Sequence, residues 1–110
     1  MSRDSRYAFF YDVAHRLRKE LPCGSVVRVQ LRKGYESYGT CHYVEKGKNP
    51  RFVIVIRKTG DVERDAHILL HEYAHVLAWF TEAEHHGSAW QESYGKVYRW
   101  YETEMIGDDE

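Results

Sequence analysis

Apolar positions near the start of the chain recur at spacings of three and four: Tyr7, Phe10, Tyr11, Ala14 and Leu17. That period predicts an amphipathic helix from about Asp4 to Glu20. Leu21-Pro22 and Gly24 follow it and end it, because proline bars the residue before it from helical geometry. The period then shortens. Val26 to Lys33, Gly39 to Glu45 and Arg51 to Lys58 read as three strands, punctuated by Gly34, by Gly47 through Pro50, and by Gly60. Phe52-Val53-Ile54-Val55-Ile56 is too continuous for a half-solvated strand, so burial on both faces beneath the next helix is expected.

The helical period returns from about Asp61 to Phe80, where Ala66, Leu69, Leu70, Tyr73, Leu77 and Phe80 mark one face and neither Pro nor Gly intervenes. Asp61, Glu63 and Asp65 crowd its first turn, where the helix dipole favours negative charge. Periodicity fails at Thr81 to Glu84, the polar residues before Gly87 read as a turn, and Trp90, Tyr94, Val97, Tyr98 and Tyr101 resume it. The last helix must therefore fold back over the long one. The expected class is α+β: an N-terminal helix, a three-stranded sheet, a long helix, a turn and a C-terminal capping helix.

The long helix carries His71-Glu72-Tyr73-Ala74-His75. Positions four apart share a helical face, so the two imidazoles can converge on one cation, while Glu72 is rotated away from ligation but can reach a water bound there. Neutral nitrogen ligands leave zinc its full charge, which brings the pKa of a bound water to about 7; a carboxylate beside it can then take the proton. A catalytic zinc needs a third protein ligand and one open position. His85 and His86 stand beyond the chain reversal; His86 is the expected ligand and His85 its rival. His67 lies four residues before His71, but pairing those two would leave His75 and Glu72 without roles. His15 and His42 read as surface or groove residues.

HEYAH, followed ten residues later by HGSAW, resembles the SprT-like family of zinc metalloproteases and its phage relatives. The resemblance covers roughly Ile68 to Tyr101. It implies one zinc ion held by His71, His75 and His86, with Glu72 as general base and Gly87 and Trp90 as supporting motif residues. It also implies a minimal zincin-like fold and a zinc-dependent endopeptidase whose protein or peptide substrate lies extended along a strand edge. A donor for the developing oxyanion is still needed, and Tyr94 and Tyr98 on the last helix are the candidates. The alternative is a non-catalytic binding module with a structural zinc.

Composition narrows the setting. A chain of 110 residues can bury roughly two thirds of its unfolded surface in a single domain spanning 1–110. It is 43% apolar and 30% charged, as globular proteins are, and no apolar run approaches the roughly 20 residues of a membrane span. The N-terminus lacks the apolar core of a secretory signal, so cytoplasmic residence is expected. Cys23 and Cys41 lack the paired spacing of a zinc ribbon and are expected as reduced thiols. Cys41 and His42 are adjacent on a strand and point to opposite faces, which excludes them as a nucleophile and its base.

The net charge of −1 conceals an asymmetry. Arg28, Arg32, Lys33, Lys46, Lys48, Arg51, Arg57 and Lys58 face only Glu36 and Glu45 in the strand region, whereas the chain from Thr59 onward has three basic residues against twelve acidic ones. A basic sheet interleaved with Tyr35, Tyr38 and Tyr43 is a candidate nucleic-acid contact; a solvated strand face balanced by an acidic helical half explains the same pattern.

Overall fold

The central strand of the sheet is the last one in sequence. In the computed structural model, which describes residues 4–47, 49–81 and 86–107, β1 (Val26–Arg32), β2 (Gly39–Val44) and β3 (Arg51–Arg57) form a sheet of order β1-β3-β2. β1 runs parallel to β3, from Val26 opposite Arg51 to Arg32 opposite Arg57. β2 runs antiparallel to β3, from Gly39 opposite Ile56 to Val44 opposite Arg51. The most continuous apolar strand thus takes the middle, leaving β1 and β2 as edges.

Residues opposite each other in a ladder share a face. One face therefore carries Val27, Val29, Leu31, Cys41, Tyr43, Phe52, Ile54 and Ile56, and these pack into one cluster with the helices. The other face carries Arg28, Gln30, Arg32, Thr40, His42, Arg51, Val53, Val55 and Arg57. Two-faced burial of β3 holds only in part: Phe52, Ile54, Val55 and Ile56 are buried but Val53 is half-buried. The outer face is shielded at Val55 by its ladder neighbours Gln30 and Thr40 and opens toward Val53, whose partners Arg28 and His42 are exposed.

Three helices follow the predicted spans closely. A 3-10 turn, Ser5–Tyr7, capped by Asp4 accepting from the Arg6 amide at 3.0 Å, leads into α1 (Ala8–Glu20). α2 (Val62–Ala78) is capped by Asp61, whose carboxylate accepts from the Arg64 amide at 3.1 Å, satisfying one of the free N–H groups of the first turn. α3 (Ser88–Trp100) widens at its end into a π-helical turn, Tyr101–Ile106. None of these helices is long and apolar enough to cross a membrane.

Asp65 does more than complement the dipole. It is 1% exposed and accepts from the Tyr7 hydroxyl at 2.6 Å, the Thr59 hydroxyl at 2.8 Å and the Thr59 amide at 3.0 Å. The same Tyr7 oxygen accepts from the Gly60 amide at 2.8 Å. A buried carboxylate is tolerable only when its oxygens are so satisfied, and this one pins the start of α2 to α1 and to the loop after β3.

Candidate metal centre

α2 packs against β2 and β3 of the sheet and against α3. Leu69, Leu70, Tyr73 and Val76 are buried in the core, and Tyr73 donates to the Leu21 carbonyl at 2.6 Å. That anchoring fixes the helix's rotation and turns His71 and His75 toward α3. Their ring centroids lie 5.1 Å apart, as the four-residue spacing requires.

His86 completes a near-equilateral triangle, its ring centroid 5.0 Å from that of His71 and 4.9 Å from that of His75. His86 holds φ 61°, in the left-handed region that few non-glycine residues occupy, histidine among them. This turn directs the ring back toward α2 just before Gly87, the N-cap of α3. Ligating atoms of the three imidazoles all lie within 4.8 Å of one another. The Nε2 atoms of His71 and His86 are 3.2 Å apart, close to the roughly 3.3 Å expected for two nitrogens on one tetrahedral zinc. Among the described residues the donor set is three imidazole nitrogens, and it fits zinc.

Trp90 is the floor of this triangle. Its ring centroid is 4.6 Å from His86, 5.0 Å from His71 and 5.5 Å from His75, and its indole N–H donates to the His71 carbonyl at 3.4 Å. Tyr94 stacks on Trp90 at 5.1 Å and 6° between planes, with its ring 6.3 Å from His71. Burial raises the pKa of Tyr94. Of the two oxyanion candidates it is the one beside the histidines; Tyr98 stands a turn further on, against His67 and Tyr101. His67 itself faces those tyrosines, at 5.9 and 5.1 Å. His42 is exposed on β2, and His15 lines a groove with Arg18 and Arg28 between α1 and β1. His85 lies outside the described residues, as does Lys48 of the basic set.

Glu72 is 8% exposed, and that burial raises its carboxyl to about 7, because a charged carboxylate is disfavoured away from water. It lies against the first residue of β2. A Cβ at Gly39 would come 3.2 Å from Glu72 Cγ and 2.6 Å from Ile68 Cγ2, so the strand approaches α2 this closely only because the residue there is glycine. Cys41, two residues along on the same face, has its thiol pushed up to about 12 by burial, then by the charge of Glu72 and of Cys23. Both cysteines are free thiols, and Cys41 is nearer the site than its place in the sequence suggested. Glycine inside a strand is itself a sign of close approach; it was the available clue to Gly39.

A comparison with protein-family models matches residues 9–106 to the one described as the SprT-like family. No curated protein and no solved structure matches the chain.

Proposed function

Because that family match spans nearly the whole chain, the protein belongs to the SprT-like family, and from this premise we propose that it is a zinc-dependent endopeptidase. The observation that carries the proposal is the convergence of His71, His75 and His86 to within 4.8 Å beside a buried Glu72 on the same helix. When bound, zinc would supply Lewis acidity and lower the pKa of a ligated water. Glu72, with a carboxyl near 7, is matched to accepting a proton from the attacking water at neutral pH and returning it to the leaving amine. Tyr94 is the candidate to donate to the oxyanion. β2, an edge strand that passes close to Glu72 at Gly39, offers an outer edge on which an extended peptide can align.

The test uses Glu72→Gln. This variant is expected to keep its zinc and to cleave an unstructured protein roughly 10²- to 10⁴-fold more slowly; cleavage at the wild-type rate with zinc retained would overturn the mechanism. The two free thiols are consistent with a cytoplasmic setting, which is part of the same reading.

A nucleic-acid contact is a second reading, supported by the register that gathers Arg28, Arg32, Arg51 and Arg57 on the outer face of the sheet. Fluorescence anisotropy with single-stranded DNA checks it. Binding should weaken with salt and with Arg28→Glu/Arg51→Glu; indifference to both would remove that reading.

A further inference from the structure

Two guanidinium groups meet on one exposed ring just before β2. Arg57, at the end of β3, lies 4.6 Å from the ring centroid of Tyr38, and Arg64, in the first turn of α2, lies 4.2 Å from it. The two like charges are therefore within about 9 Å of each other, the sum of those distances. Among the described residues neither is in an ion pair. Asp61 accepts from the Arg64 backbone amide rather than from its side chain, and the carboxylate of Asp65 is taken up by Tyr7 and Thr59. The tyrosine face offsets part of the repulsion; a carboxylate would offset more.

Arg57 is already held for such a partner. Its backbone amide donates to the Tyr38 carbonyl at 2.9 Å and its Nε to the Tyr35 carbonyl at 2.6 Å. Its terminal N–H groups make no hydrogen bond among the described residues, so a planar fork is left for a carboxylate, and a side chain fixed in advance loses little freedom on binding. Arg64 and Tyr38 are exposed, which leaves the pair open to a ligand.

The pair also has a definite place relative to the metal centre. Arg64, Ile68 and Glu72 follow one another at four-residue spacing on α2 and so share a helical face. Ile68 and Glu72 both border Gly39, and Arg64 borders the preceding residue, Tyr38. The cationic pair thus stands at one end of the line that β2 and α2 form past Glu72. Eight residues of helix rise about 12 Å, the reach of about three or four residues of extended peptide.

We propose that Arg57 and Arg64 form a specificity site for an acidic side chain of the substrate, about three or four residues from the bond cleaved. This deepens the peptidase reading and rests on it. A nucleic-acid phosphate would meet the same charge, but Arg64 comes from the helix packed on the inner face of the sheet, opposite the face that carries Arg28 and Arg51. The position beside Gly39 and Glu72 favours the peptide.

The experiment compares unstructured peptides of one sequence in which a single Glu, or Gln in its place, is moved along both sides of the cleaved bond. With the zinc-loaded full chain, Glu is expected to raise kcat/KM about three- to tenfold over Gln when it stands three or four residues away on one side, and not elsewhere. That ratio should fall to about one in Arg64→Gln, and Arg64→Glu should prefer Lys at the same position. Each ratio is taken within one variant, so a loss of stability does not mimic the result. The same peptides are titrated by fluorescence anisotropy into zinc-loaded Glu72→Gln, with and without Arg64→Gln. If wild type cleaves none of them, the peptidase reading fails, while this binding preference still decides what the pair recognises. A Glu-to-Gln ratio near one at every position in both assays, or a ratio that Arg64→Gln leaves unchanged, would overturn the proposal. So would loss of single-stranded DNA binding in Arg64→Gln with no change in the peptide ratio, which would give the pair to nucleic acid.

Discussion

Between Gly39 and Glu72 there is no room for a further side chain: a methyl group on the strand residue would come within 3.2 Å of the carboxylate's Cγ and within 2.6 Å of Ile68 Cγ2. Gly39→Ala should therefore push α2 off the sheet, costing ~1–3 kcal/mol by overpacking and lowering turnover by up to about 10²-fold through displacement of Glu72. Ile68→Ala in the same chain should restore part of both losses. Thermal melts and cleavage rates of the single and double variants measure this; a fully active Gly39→Ala would show that the close approach is dispensable.

Metal content separates the two histidines after the turn. His86→Ala should purify with little zinc, and His85→Ala with one equivalent, because His86 already completes a three-nitrogen set with His71 and His75. Zinc loss in both variants would indicate a closed site.

Trp90→Ala removes no ligand, yet it takes away the surface against which all three imidazoles rest and the donor to the His71 carbonyl. Zinc affinity, measured by competition with a chelating dye, should fall roughly 10- to 100-fold, as for other groups that orient ligands. Trp90→Phe, which keeps a ring, should lose less.

Asp65→Ala leaves the Tyr7 hydroxyl and both Thr59 donors without their acceptor. A loss of ~3–5 kcal/mol is expected, against ~1–3 kcal/mol for Tyr7→Phe. Urea denaturation of the two variants gives the ranking, and a milder effect for Asp65→Ala would contradict the role assigned to it.

Cys41 should resist alkylation at pH 8 in the folded protein and react once unfolded, since its thiol is held near 12 and only the thiolate attacks. The folded state keeps this proton above pH 9 while the unfolded chain releases it, so folding stability falls as pH rises, by up to ~2 kcal/mol between pH 9 and 11. The raised phenol of Tyr73 acts in the same direction at higher pH. Melting temperatures of chelator-treated protein should decline less steeply over that range for Cys41→Ala; identical slopes would count against the burial of this thiol.

The sequence alone determined the three main helices, the three strands and the candidate site residues on α2. Helical and strand periods depend on neighbours within a few residues, so α2 was legible to within two residues of its ends, His71 and His75 followed from their spacing on one face, and Glu72 from its place one residue along. The long-range relations were decided by tertiary structure: β3 in the middle of a mixed sheet, Asp65 turned from a dipole partner into a buried pin, Gly39 pressed on Glu72, and Cys41 drawn beside the same carboxylate. The left-handed turn at His86 likewise takes its meaning from the helix it faces. Register between segments far apart in the chain is set by how apolar surfaces close against one another, and that closure is a property of the whole core, invisible in any short window of residues.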